Sequence, residues 1–283
     1  MTEHYALLAV LAHPDDESYG PGGTLARYAH SGVDVHVAIA TDGAAGSIDE
    51  KWQGDRSRLA EARAEELKAA TKILGVTLHT LNYRDSGYIG DEANKHPAAF
   101  INSDEDEAVC KVVKLIREIR PQVILTHDET GGYFHPDHIQ CYKITTAAFY
   151  AAGDPEKYPE IGLPSYQPKK LYYSALSNRW IRFMVRLMRL RGIDPTRVGR
   201  NKDVDLTRLG VDPARITTRI NYRDYWDIKV AAGTEHGSQG GGSSFTRLIP
   251  KLLQKLFFAN ETFMRIYPPP TPGLKEKDFF EGL

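Results

Sequence analysis

The chain has 283 residues, and 36 lysines and arginines stand against 37 aspartates and glutamates, a formal charge of −1. An apolar share of 41% with 10% aromatic residues can build a proper core and excludes wholesale disorder. The balanced charge argues against a protein that grips nucleic-acid phosphates.

Two cysteines, Cys110 and Cys141, are too few for a disulfide scaffold and point to a reducing compartment, so a cytoplasmic location is expected. No stretch approaches the ~20 apolar residues of a transmembrane segment. The first apolar run stops at His13-Pro-Asp-Asp-Glu17. It reads as a buried strand and not as a signal peptide.

In chain order, Tyr5 to Ala12 is a run of the kind a parallel sheet buries on both faces. Gly20 to Thr24 reads as a turn, Leu25 to Ser31 as a short helix and Val33 to Thr41 as a second strand. From Asp55 to Leu74 the apolar residues fall at helical spacing, with Gly75 as the cap. Val76 to Tyr83 is a third strand, Asp104 to Ile119 a helix stopped by Arg120-Pro121, and Val123 to Thr126 a fourth strand. Pro136 to Ala152 reads as helix and Leu171 to Leu176 as a fifth strand.

This alternation predicts an α/β fold: a Rossmann-like, doubly wound, mostly parallel sheet of order 3-2-1-4-5 over residues 1–176. Residues 177–283 are expected as a C-terminal extension or cap of the same domain, with helices at Asn178–Arg191, Tyr222–Ala232 and Leu248–Ala259. Between them lie a loop-rich stretch from Asn201 to Thr218, expected over the site, and a flexible loop from Gly237 to Ser244. A proline-rich end follows at Pro268 to Pro270.

Two motifs carry chemistry. Ala12-His-Pro-Asp-Asp-Glu17 follows the first strand, and Tyr133-Phe-His-Pro-Asp-His138 follows the fourth. In the 3-2-1-4-5 order strands 1 and 4 are neighbours, so their carboxyl ends flank the crevice where such folds bind ligands. Three histidines and three aspartates converge there. Histidine nitrogen and carboxylate oxygen suit a borderline divalent ion such as zinc. Two histidines, one carboxylate and an open position activate water, and a further carboxylate beside them can take its proton. A dinucleotide site is excluded: Leu25 breaks the glycine fingerprint, and Asp15, Asp16 and Glu17 stand where a pyrophosphate would lie.

At these residues the chain resembles the zinc-dependent LmbE-like, or PIG-L, deacetylases, whose marks are an AHPDDE-type motif and a later HPDH. It is most similar to their mycothiol-pathway members, an acetylglucosaminyl-inositol deacetylase and a mycothiol S-conjugate amidase. The likeness covers about residues 5–175, including Thr41-Asp-Gly43, Arg84-Asp-Ser-Gly87 and Gly131-Gly-Tyr133, with weaker echoes at His236-Gly-Ser-Gln239.

The resemblance implies one zinc ion per chain, with ferrous iron as the cellular alternative, ligated by His13, Asp16 and His138. It implies Asp15 as general base, and His135 as oxyanion stabiliser or proton donor oriented by Asp137. Tyr133 would polarise the amide carbonyl, while Arg63, Asp85 and His236 would touch substrate. Phe134 is bulkier than the family pattern. The implied reaction removes an N-acetyl or other N-acyl group from a small-molecule amino-sugar conjugate. The alternatives are cysteinyl-amide cleavage of a thiol-sugar S-conjugate and deacetylation of a glucosaminyl lipid.

Plainer readings stand beside these. Arg63 is equally an ion-pair partner on a helix, Asp85 a turn residue, Tyr133 a packing ring and His236 a structural histidine. Arg179, Arg182, Arg186 and Arg189 recur at helical spacing. They suit an anionic membrane surface, an acidic partner, an anionic substrate group, an oligomer contact or merely a solvated face. A homo-oligomer is left open.

Overall fold

Strand β1 (Ala6–Leu11) is buried at every position because the sheet is covered on both faces. Leu7, Ala9 and Leu11 meet one core with Leu25, Val37, Leu67 and Phe279. Leu8 and Val10 meet the other with Val112, Ile116, Ile144 and Phe149. The computed structural model describes residues 4–49, 52–198, 204–241 and 251–283.

Around β1 the sheet runs β3 (Thr77–Tyr83), β2 (Asp34–Thr41), β1, β4 (Val123–Thr126) and β5 (Lys170–Ser174), all parallel. The 3-2-1-4-5 order expected from the alternation is therefore the order of the parallel core. Beyond β5 come β7 (Asn260–Tyr267) and then β6 (Thr218–Asn221), both antiparallel to their neighbours. These two strands were not expected. Phe263 of β7 enters one core and Met264 the other, so the polar–apolar alternation that marks a half-buried strand is erased.

The helices are α1 (Asp16–Tyr19), α2 (Gly22–His30), α3 (Leu59–Leu74), α4 (Glu105–Ile119) and a broken turn α5 (Gly131–Phe134). They continue with α6 (Pro136–Ala151), α7 (Asn178–Leu190), α8 (Trp226–Glu235) and α9 (Lys251–Phe258). Helix α2 takes in glycines expected in a turn. A Cβ on Gly23 would lie 2.2 Å from the Tyr222 ring, so the glycine permits close packing there.

Helix α3 starts at Leu59 and not Asp55, because the Asp55 carboxylate accepts from Ser57 N (2.9 Å) and caps a 3₁₀ turn first. Arg120 ends α4 in the left-handed region (φ 55°), another way of leaving the αR conformation that Pro121 disfavours. Helix α8 starts at Trp226, later than Tyr222, behind a 3₁₀ turn over 223–225. The loop expected from Gly237 opens as a 3₁₀ turn, with Ser238 bonded to Glu66. Its residues 242–244 lie outside the described residues, as do 248–250 of the expected last helix.

The end of the chain is stitched to the sheet by one carboxylate. Buried Glu276 accepts from Lys170 Nζ (2.9 Å) and Tyr172 Oη (2.9 Å) of β5, Thr218 Oγ1 of β6 (2.8 Å) and Arg265 Nη1 of β7 (2.7 Å). Burial pushes its pKa up, but the bonds from Lys170, Thr218 and Tyr172 outweigh that and hold it below the usual range. A depressed carboxylate stabilises the fold above its unfolded pKa, ~4.3, and loses that contribution as pH falls through the folded value. Glu276→Gln is expected to cost about 3 kcal/mol in urea unfolding at neutral pH. The loss should shrink in the same titration carried out at acid pH, below the folded pKa.

Candidate metal centre and active site

The site lies at the carboxyl ends of β1 and β4, as the parallel order requires. After β1 the chain turns through Asp15, whose φ of 130° is rare for a residue with a Cβ and costs ~1–3 kcal/mol. The turn is held by Asp15 O, which accepts from Ser18 N (3.0 Å) and Tyr19 N (2.9 Å). Asp15 N donates to Glu17 Oε2 (2.9 Å). Asp16 Oδ2 closes the same loop by accepting from His13 N (2.8 Å) and Ala12 N (3.2 Å).

After β4, Gly131 and Gly132 take positive φ and lead into His135, which caps α6, with Pro136 at its first position. His138 sits in the first turn of α6 and donates from Nδ1 to Gly131 O (3.0 Å), which leaves Nε2 with a bare lone pair. His13 places Nε2 against Asp137 Oδ2 (3.2 Å) and Asp85 Oδ1 (3.6 Å), so its proton belongs on Nε2 and its Nδ1 is also bare.

These two lone pairs face each other at 3.1 Å, and Asp16 Oδ2 lies 3.3 Å from His138 Nε2 and 3.6 Å from His13 Nδ1. With both imidazoles neutral, no proton is left to share among them. Tetrahedral bonds of ~2.0–2.1 Å would separate neighbouring ligand atoms by about 3.3–3.4 Å. The trio fits a divalent cation of the zinc type in donor chemistry and in spacing. Burial pushes the His13 pKa down, yet Asp85, Asp137 and Asp16 hold it well above the usual range, a sign that the cluster attracts positive charge.

Asp15 stands beside this trio on the wall of a cavity of about 260 Å³, with Arg63, Asp85, Tyr88, Tyr133, His135 and Gln239. Burial raises its pKa to about 7 against the pull of Arg63. Arg63, expected at substrate, is nearly fully buried and donates to Asp15 Oδ2 (3.0 Å), Gly43 O (2.9 Å) and Pro14 O. It therefore fixes the position of Asp15 while touching the cavity. Both Asp85 oxygens are engaged by backbone, Oδ1 by Gly87 N (2.8 Å) and Oδ2 by Ala45 N (3.1 Å), and the side chain lines the wall.

Two expectations change. Asp137 directs its carboxylate to His13 and to Ser86 N (2.9 Å) and not to His135, which it meets only through its own N–H at His135 Nδ1 (3.3 Å). Asp137 lies in the first turn of α6 and is fully buried, so its carboxylate meets the loops that follow β1 and β3. His236 is fully buried outside the cavity lining, with Nε2 on Glu17 Oε1 (2.7 Å). It supports the glutamate that holds the Asp15 turn.

Tyr133 lines the cavity and packs edge-on to His138 (5.1 Å between centroids), and burial raises its pKa. Phe134 sits at φ 68° with Arg208 stacked 4.2 Å over its ring.

Sequence reasoning missed His127, stacked 3.9 Å from the His138 ring with Nε2 3.6 Å from Asp16 Oδ2. The signal was available: His127 directly follows β4, the position His13 nearly takes after β1. Its Nε2 accepts from Ala12 N (3.2 Å), so its lone pair is already engaged. Tyr88, Gln239, Ala45, Gly46 and Ser47 also line the cavity, none of them assigned a role from the sequence.

A doubly wound sheet with a cation-attracting histidine–aspartate cluster at its switch point is an enzyme architecture of the Rossmann-like class. A profile of the PIG-L family, described as GlcNAc-PI de-N-acetylase, matches residues 8–149. The chain is 37% identical to a mycothiol S-conjugate amidase of Streptomyces coelicolor, an alignment covering 100% of this chain and 99% of that one. It is also 37% identical to the 1D-myo-inositol 2-acetamido-2-deoxy-alpha-D-glucopyranoside deacetylase of Streptomyces avermitilis, over 98% of this chain and 97% of the relative. The chain belongs to the PIG-L family.

The N,N'-diacetylchitobiose deacetylase of Pyrococcus horikoshii superposes with a TM-score of 0.62 at 21% identity, over 93% of this chain and 84% of that one. The 4-carboxy-2-hydroxymuconate hydratase of Pseudomonas putida superposes with a TM-score of 0.60 at 19% identity, over 95% and 99% of the two chains. Such likenesses show the fold alone, and a hydratase among them shows that the scaffold does not dictate the reaction.

Asp137→Asn removes the charge that keeps the His13 proton on Nε2. Cation affinity, measured by competition with a chromophoric chelator, is expected to fall about 10–100-fold while the circular dichroism spectrum is unchanged.

Proposed function

We propose that this chain hydrolyses the N-acyl amide of an amino-sugar conjugate, foremost an N-acetyl group, using one zinc ion held by His13, Asp16 and His138. The convergence of two bare imidazole nitrogens on the Asp16 carboxylate, beside that of Asp15, carries this reading. Ferrous iron takes the same donors, so cellular supply decides between them. A zinc ion bound there supplies a water acidified towards pKa ~7 and a Lewis acid for the acyl carbonyl.

The chain's own groups do the rest. Asp15, held by Arg63, accepts the proton of the attacking water. Burial and the neighbouring His13 hold His135 well below the usual histidine range, so it is neutral. Its Nδ1 accepts from Asp137 N, which puts its proton on Nε2, ready for the oxyanion or the leaving amine. Tyr133, kept protonated by burial, offers a hydroxyl to the carbonyl oxygen. Asp85 would meet a sugar hydroxyl, a reading supported by its place on the cavity wall.

A cavity of about 260 Å³ lies below the ~300–1,000 Å³ of drug-sized sites and suits one sugar unit, with the rest of the conjugate outside. A small-molecule substrate and a cytoplasmic location are part of this reading, the location supported by the two free cysteines. Residues 177–283 are read as part of the same folding unit as 1–176, because β7 pairs with β5 and Glu276 joins both.

The second reading, cleavage of the cysteinyl amide of a thiol-sugar conjugate, is supported by the full-length similarity to the Streptomyces coelicolor amidase. The test is acetate release from N-acetylglucosamine and its inositol conjugate, beside cysteine-amide cleavage of a thiol conjugate, with zinc-loaded protein. Acetate from a sugar conjugate is the expected result; amide cleavage without acetate moves the assignment to the amidase. Asp15→Ala should lose at least a thousandfold in turnover and keep its zinc, whereas His13→Ala should lose both. Loss of zinc from Asp15→Ala would overturn its assignment as base.

A further inference from the structure

Helix α7 has three faces. Val185 is buried, and Ile181 and Met188, on the same face, are half-buried. Arg179, Arg182, Arg186 and Arg189 form a stripe along one flank, and the helix carries no acidic residue. The outward side is apolar again: Phe183 is 57% exposed, Leu190 84%, and Met184 and Leu187 are also exposed. Ile193, just past the helix, is half-exposed. A solvated helix presents polar residues on its outer face; this one presents a second apolar stripe beside its arginines.

We propose that α7 is a docking surface for an anionic phospholipid bilayer, lying in the plane of the headgroups. The outward stripe would enter the acyl boundary, and the arginine stripe beside it would reach lipid phosphates, the arrangement an interfacial helix needs. Thirteen residues make a helix of about 20 Å, too short to cross a bilayer, and among the described residues no helix is long and apolar enough to do so.

Charge disfavours a second copy as occupant. Pairing α7 with its own counterpart would bring two arginine stripes together with no carboxylate on either helix. An acidic soluble partner would satisfy the arginines, but the exposed stripe from Phe183 to Leu190 calls for an apolar phase beside the negative charge.

The helix also stands beside the cavity. The 3₁₀ turn at residues 206–208 packs on α7, and its Arg208 covers Phe134, next to Tyr133. Val204, just before that turn, lines the cavity itself. A protein docked through α7 would hold the cavity mouth near the membrane surface. This inference stands whichever amide the site cleaves.

Co-sedimentation of the full chain with vesicles tests it, using pure phosphatidylcholine and a phosphatidylcholine–phosphatidylglycerol mixture. Binding is expected to the mixture only and to weaken as salt rises. Arg182→Gln with Arg186→Gln should reduce the partition coefficient roughly 30-fold. Phe183→Ser with Leu187→Ser should reduce it at least tenfold, with Tm unchanged in both variants. Failure to bind either vesicle would overturn the proposal. So would equal binding to soluble heparin that the serine variant leaves intact, which would mark a surface for a soluble polyanion. A dimer in light scattering that the serine variant returns to monomer would assign the face to a second copy.

Discussion

Everything at the site depends on where two histidine protons are sent. His138 gives one to Gly131 O and His13 gives one to Asp137, and both remaining lone pairs are turned on each other at 3.1 Å with Asp16 close by. Buried acceptors without donors cost free energy unless a positive charge joins them. The fold holds that conflict in place through backbone. Gly131 adopts φ 60°, and a Cβ there would come within 2.7 Å of the His138 Cβ. Only a residue without a side chain lets the chain pass close enough to accept the proton.

The Asp15 carboxylate is positioned by the opposite device, a chain of ionic partners. Asp15 occupies a strained backbone conformation, its N–H answered by Glu17 and its carboxylate by Arg63. Glu17 is in turn held by His236, which reaches it from across 219 residues of chain. Ser238, two residues on, fixes Glu66 of α3, one turn from Arg63. The C-terminal half therefore contributes rigidity to the Asp15 loop formed near the start of the chain. Its own attachment to the sheet runs through β6, β7 and Glu276.

The parallel core was legible because its strands are short apolar runs separated by strongly periodic helices such as α3. The two motifs were legible because both follow strands that the topology makes neighbours. Strand β7 escaped because its neighbours Phe263 and Met264 are buried on opposite faces, which removes alternation, and β6 because four residues, Thr218–Asn221, carry too little pattern to judge. His127 escaped because a lone histidine after a strand has no spacing partner within its own segment. The resemblance puts His236 at substrate, whereas its burial, which the plainer structural reading anticipates, goes with the packing of α8 against α3 and α1.

By itself the sequence determined the α/β class, the order of the parallel strands and the residues that meet at their carboxyl ends, because periodicity and handed crossovers are local properties. Tertiary structure decided which oxygen holds which proton. Asp137 serves His13 instead of His135, Arg63 serves Asp15, and His236 serves Glu17. Those pairings join residues 48 to 219 positions apart. Hydrogen-bond partners at such distances are chosen by the directions in which packed helices aim their side chains, which a pattern along the chain does not encode.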